Sequence, residues 1–120
     1  MPYKDPEKRR THHREYMRTW YANPENRRIH TARVRDINHK RRDSLRAIVD
    51  EFRARGCARC GEREACCLSA PHVEPGLKDF DVGDGLRRRV TESQLRAELS
   101  KCVCLCENCH RKVHAGVLEL

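Results

Sequence analysis

Apolar residues are scattered thinly up to Asp43 and then become periodic: Leu45, Ile48, Val49 and Phe52 fall at the i, i+3, i+4, i+7 spacing of a buried helical stripe. The stripe predicts a helix over residues 24 to 55 whose last turns pack into a core. Its earlier turns carry Arg27, Arg28, Arg33, Arg35, Lys40, Arg41 and Arg42 and are expected to project from that core. A shorter helix is predicted over residues 6 to 21. Asp5-Pro6-Glu7 and Asn23-Pro24-Glu25 both read as helix starts, with an Asx N-cap, proline in the first turn and an acidic residue favoured by the helix dipole. Two copies of this short repeat are too few for a solenoid.

The pattern changes after Gly56. Leu68 to Val73 reads as a strand, and Gly76 to Val90 reads as a polar loop with glycines at 76, 83 and 85. Thr91-Glu92-Ser93-Gln94 has the form of a capping box, opening a helix that turns Leu95 and Leu99 inward and ends near Lys101. Cys102 to Leu105 alternates as a short strand does. A last helix is expected over Glu107 to Ala115, stopped at Gly116. Strands and helices succeed one another without a βαβ pattern, so the expected class is α+β.

With 120 residues, of which 38% are hydrophobic and 37% charged, the chain has room for one small core and none for a large enzyme fold. Such a core is marginal on apolar burial alone, and eight cysteines suggest a staple. Met1 to Pro6 runs directly into charged residues without the apolar stretch of a signal peptide, which favours metal over disulfides and a cytoplasmic location. No window approaches the ~20 apolar residues of a membrane span, so no membrane partner is expected.

Charge divides the chain at the same place. Residues 1–56 hold 16 Lys and Arg against 8 Asp and Glu, whereas residues 57–120 hold 10 of each, so the whole net charge of +8 lies in the first part. All eight cysteines lie in the second. The expected organisation is therefore a basic helical arm, 1–56, and a cysteine-rich module, 57–120. At ~1.5 Å per residue the second helix would be about 48 Å long, enough to follow a nucleic-acid backbone. Arg9 and Arg10 join the seven basic residues named above as candidate phosphate contacts. Tyr16, Trp20 and Tyr21 can stack on bases, or can pack as a hinge between two helices.

Cys57-Ala58-Arg59-Cys60 and Cys106-Glu107-Asn108-Cys109 form two Cys-x-x-Cys knuckles 45 residues apart. Two knuckles facing each other complete a tetrahedral sulfur shell, so a structural Zn2+ site is expected from these four residues. Gly61 suits the tight turn after the first knuckle. Cys66, Cys67, Cys102 and Cys104 are read mainly as small apolar residues, with a second sulfur site as the alternative. His110 and His114 are spaced i, i+4 on the last helix, face the same way and can share one metal. A mixed finger of Cys57, Cys60, His110 and His114 is disfavoured because it would orphan Cys106 and Cys109.

Cys57-x-x-Cys60, Ala70-Pro71-His72-Val73-Glu74-Pro75 and Cys106-x-x-Cys109-His110-x-x-x-His114, in that order, resemble the zinc-ribbon-stabilised HNH endonucleases, often phage-encoded, whose core is a ββα-metal finger. Lys78 to Val82 and Leu99 to Cys102 are similar to that family's connecting segments. The resemblance covers about residues 57 to 116. It implies that His72 is the general base, that His110 and His114 bind a catalytic divalent cation such as Mg2+, Mn2+, Ni2+ or Zn2+, and that the knuckle cysteines hold zinc. It further implies cleavage of DNA phosphodiester bonds, with phage packaging or other nucleic-acid-processing proteins as partners in a host cytoplasm. The charge pattern alone does not distinguish DNA from RNA. Two positions depart from the family pattern: Pro71 stands where Asp or His usually supplies a third metal ligand, and Lys101 stands where an Asn usually orients the base. The other class of function compatible with these residues is a catalytically inactive, zinc-dependent nucleic-acid-binding protein.

Overall fold

The computed structural model describes residues 4–120, and Met1 to Tyr3, at the start of the expected arm, lie outside the described residues. It is a mixed fold, mainly helical with one small two-stranded sheet. The chain divides into two compact units, residues 1–38 and 39–120. Composition shifts at Gly56, whereas this division falls inside the second helix, because the last turns of that helix carry the apolar stripe and belong to the second unit's core.

In the first unit, α1 (Pro6–Ala22) begins where the Asp5 carboxylate accepts from the Glu7 backbone N–H at 2.9 Å. α2 (Pro24–Arg53) begins in the same manner, with Asn23 Oδ1 accepting from Glu25 N at 3.0 Å. The elbow between the helices is held by aromatic contacts. The Trp20 and Tyr21 rings meet edge-on, both lie edge-on to His30, and Tyr21 Oη is 3.0 Å from His30 Nε2. Of the two roles open to the aromatics, hinge packing is the one seen for Trp20 and Tyr21, whereas Tyr16 is exposed. α1 buries no residue, so this unit is a pair of polar helices joined at a small aromatic contact.

The second unit contains the core. Leu45, Ile48, Val49 and Phe52 of α2 pack with Leu68, Leu95, Leu99, Cys104 and Leu105. β1 (Leu68–Ser69) pairs antiparallel with β2 (Leu105–Cys106), in register Leu68 to Cys106 and Ser69 to Leu105. β1 is shorter than the expected Leu68 to Val73, and β2 overlaps the expected Cys102 to Leu105 only at Leu105, although pairing resumes at an isolated bridge between His72 and Cys102. There Val103 N donates to Pro71 O at 3.0 Å and Val73 N donates to Lys101 O at 3.1 Å. α4 (Glu92–Leu99) has the predicted capping box, formed by Thr91 and Gln94. α5 (Glu107–His114) follows β2 directly.

The predicted polar loop from Gly76 to Val90 is instead interrupted by a helix, α3 (Val82–Arg88). Two glycines in seven residues hide it from propensity, but Gly85 is present for closeness: a Cβ there would sit 2.5 Å from Phe80 Cε2. Burial of that contact, with Val82 and Leu86 packed against the core, outweighs the helix-breaking tendency of glycine.

Candidate metal centre and active site

Cys57 and Cys60 lie in the turn that follows α2, whereas Cys106 caps the N-terminus of α5 and Cys109 lies one turn into it. Pairing of β1 with β2 and the bond from Ala58 N to Cys104 O bring the two knuckles together. The four sulfur atoms all lie within 4.8 Å of one another, and Cys60 Sγ is 3.5 Å from Cys106 Sγ. A tetrahedral ion at the ~2.3 Å of a Zn–S bond separates its sulfurs by about 3.8 Å, so the quartet can hold a metal such as zinc. All eight cysteines are free thiols. Gly61, at φ +78°, makes the turn after the first knuckle in a conformation that side chains rarely adopt.

Electrostatics agrees with a cation at this point. Burial opposes ionisation of Cys57, but backbone N–H groups of Cys106, Cys60 and Arg59 outweigh it and bring the thiol down to about 6. Arg59 N lies 3.4 Å from Cys57 Sγ, and Cys109 N donates to Cys106 Sγ at the same distance. Burial and the neighbouring thiols push Cys109 up to about 12. One thiolate is therefore stabilised by the backbone, and further ones require positive charge in their midst.

Among the described residues, this quartet is the group of three or more His, Cys, Asp or Glu whose ligand atoms converge. Cys66, Cys67, Cys102 and Cys104 are not part of it. Cys104 is buried and Cys102 packs against the core, as expected of small apolar residues. Cys66 and Cys67 have their sulfurs 3.9 Å apart at the surface.

His72, His110 and His114 line one open cavity of about 520 Å³, together with Pro71, Asp81 and Arg53. His110 and His114 lie on one face of α5 with their Nε2 atoms 3.0 Å apart. Ser69 of β1 donates its hydroxyl proton to Leu105 O at 3.3 Å, and its Oγ is 3.3 Å from His110 Nδ1. In the neutral tautomer whose Nδ1–H donates to Oγ, the lone pair of His110 lies on Nε2, toward His114. Two imidazole nitrogens this close could bind one ion together. Neither imidazole belongs to the sulfur quartet, so the mixed finger does not form.

His72 reaches the cavity from the bridge that extends β1. Its side chain is 6% exposed, and Nε2 lies 2.6 Å from Glu98 Oε1. Glu98 did not figure among the site residues expected from sequence, yet the signal was present: it shares the inward face of α4 with Leu95 and Leu99, at i+3 from Leu95. Arg53 and Lys78, two further cations lining the cavity, were also not singled out. Pro71 lines it as well and contributes no donor. Lys101 makes no hydrogen bond to the His72 ring. Its ammonium donates to Leu77 O, Asp79 Oδ2 and Glu98 Oε2 at 3.1, 2.8 and 2.9 Å.

The basic residues expected to meet phosphate are all on the two long helices. Arg9, Arg10, Arg27, Arg28, Arg33, Arg35, Lys40 and Arg41 are exposed and Arg42 is half-buried. Arg27, Arg28 and Arg35 line a shallow groove on the first unit, and Arg28 also pairs with Glu25 at 2.7 Å. No helix among the described residues is long and apolar enough to cross a membrane.

Comparison with known protein families, characterised proteins and solved structures gives no match to this chain.

Proposed function

We propose that this chain is an HNH-type endonuclease that hydrolyses DNA phosphodiester bonds with a divalent cation. The observation that carries the reading is the convergence of His72, His110 and His114 on one cavity, reached through an antiparallel strand pair and the helix that follows it. This is the order of elements expected of a ββα-metal finger. In this reading the cysteine quartet holds zinc and fixes α5 against the strand pair.

The chemistry follows from the side chains. Arg53 and Lys78 at the cavity wall attract a phosphate, and His72 takes the proton of the attacking water. His110 and His114 would hold a divalent cation, which when bound would supply positive charge for the departing 3′ oxygen. Such an attack leaves 5′-phosphate and 3′-hydroxyl ends. The arginines of α1 and α2 supply sequence-independent affinity through the phosphate backbone.

One observation favours a second reading. Pro71 occupies the cavity wall without a donor atom, and no third His, Cys, Asp or Glu joins the two imidazoles among the described residues. A zinc-dependent nucleic-acid-binding protein without catalysis has the same features. Plasmid cleavage assayed in Mg2+, Mn2+, Ni2+ and Zn2+ separates the two: a nuclease cuts in at least one of them and loses cleavage in His72→Ala, whereas a binding protein retards DNA and cuts in none.

A further inference from the structure

Glu98 is the charged residue buried in the described core, at 1% exposure, and its carboxylate is fully engaged. Oε1 accepts from Asp79 N at 3.0 Å and meets His72 Nε2 at 2.6 Å, while Oε2 accepts from Lys101 Nζ at 2.9 Å. Lys101 is itself held by Leu77 O and Asp79 Oδ2, so the cation cannot leave without unmaking the turn before α3. Burial raises the Glu98 carboxyl, but Lys101, His72 and the backbone N–H groups of Asp79 and Phe80 outweigh it and hold it at about 2.

The consequence for His72 follows from donor and acceptor counting. An ionised carboxylate only accepts, so the 2.6 Å contact requires a hydrogen on Nε2, and a neutral imidazole with that hydrogen has a bare lone pair on Nδ1. Among the described residues no hydrogen bond uses Nδ1 of His72. The backbone on either side of the ring is fixed, because Pro71 O and Val73 N both bond across to the Lys101 to Val103 segment. A purely structural Glu98–Lys101 ion pair would be complete without an imidazole, yet the shortest bond to this carboxylate is the one to His72.

We propose that Glu98 is a positioning residue that holds His72 as the Nε2–H tautomer, making Nδ1 the atom that takes the proton from water. Only the last step rests on the nuclease reading. There, the water oxygen bonds to phosphorus while its proton passes to Nδ1. The P–O3′ bond breaks with its electron pair on O3′, and O3′ takes a proton from solvent. The imidazolium left behind lies against the Glu98 carboxylate, which later favours neither loss of Nε2–H nor rotation of the ring.

The test reads the tautomer first, on full-length zinc-loaded protein labelled with 15N-histidine. Long-range 15N–1H correlations at neutral pH should show His72 as the Nε2–H form, with a mixture of tautomers in Glu98→Gln. An Nδ1–H form in the unaltered protein overturns the proposal, and this measurement needs no variant to fold. Cleavage is read second. Glu98→Gln should lower kcat about a hundredfold or more with KM for plasmid changed less than about twofold, because the substitution alters proton transfer and not phosphate binding. An unchanged kcat in a folded Glu98→Gln protein also overturns it. If the unaltered protein cuts no DNA in any cation, the nuclease reading fails, and the tautomer still decides the role of Glu98.

Discussion

The Nε2 atoms of His110 and His114 face each other 3.0 Å apart across one turn of α5. Two nitrogens held by one ion at ~2.1 Å stand about 3 Å apart when the angle at the ion is a right angle, so the helix itself sets a spacing suited to shared coordination. Pro71 stands in the wall of the same cavity.

The first prediction concerns that wall. With two imidazoles as the protein ligands, cleavage should require millimolar metal or an imidazole-preferring ion such as Ni2+ or Zn2+. Pro71→His should lower the metal concentration for half-maximal cleavage at least about tenfold, a magnitude typical of changes to a ligand shell. Pro71→Ala controls for release of the proline ring. Metal titrations of both variants check this, and equal behaviour would mean that Asp81, on the same cavity, completes the site instead.

The second concerns the sulfur quartet. Zinc binding free energy is folding free energy in a core this small, so Cys106→Ala should lose stoichiometric zinc and melt about 15 °C or more below the unaltered protein. Cys66→Ala, outside the quartet, should keep both. Metal analysis and thermal denaturation provide the readouts. A Cys106→Ala protein with full zinc and an unshifted Tm would remove the quartet as a structural site.

The third concerns Glu98 and acid. Its carboxyl is held at about 2 in the folded chain against an ordinary 4.5, so its stabilisation is complete above pH 4.5 and is lost as pH falls from there through about 2. Glu98→Gln should be less stable at neutral pH and should lose less stability than the unaltered protein across that acid window. Denaturant unfolding at matched pH and zinc compares the two, and the comparison cancels acid release of zinc. Parallel curves for both proteins between pH 4.5 and 2 would show that the burial cost of Glu98 is not offset by ionic partners.

The fourth concerns the arginines of α2. If the basic helices neutralise ~6 phosphates, log K falls against log salt with a slope of about −5, each phosphate contributing about 0.9. Replacing Arg27, Arg28 and Arg35 together by Gln should make the slope shallower by about 2 to 3. Binding to a short duplex, measured by anisotropy over a salt series, gives the slope. An unchanged slope would assign the groove they line to a solvated surface.

Local signals sufficed where the chemistry is local. The N-caps at Asp5 and Asn23, the capping box at Thr91 and the spacing of Leu45, Ile48, Val49 and Phe52 each involve residues within one or two helical turns, and all are found in the structure. The two knuckles were equally legible, since four thiols at paired spacing have few other uses. The strands were less legible: the expected runs Leu68 to Val73 and Cys102 to Leu105 became Leu68–Ser69 and Leu105–Cys106, with pairing broken off between Ser69 and His72.

Apart from the quartet, contacts made by the approach of distant segments were not legible in the sequence. A glycine-rich stretch became α3 because Phe80 closes on Gly85, a contact that no propensity encodes. Glu98 shares a helical face with Leu95 and Leu99, but its role was decided only when tertiary structure set His72, Lys101 and the Asp79 backbone around it and made a buried carboxylate tolerable. The sequence by itself determined where α1, α2, α4 and α5 start and where the charge accumulates, since those depend on near neighbours, and which four thiols form the quartet, since the knuckle spacing marks them. Only the fold decided which imidazole meets which carboxylate, because desolvation and hydrogen bonding exist only after the strands and α4 have come together.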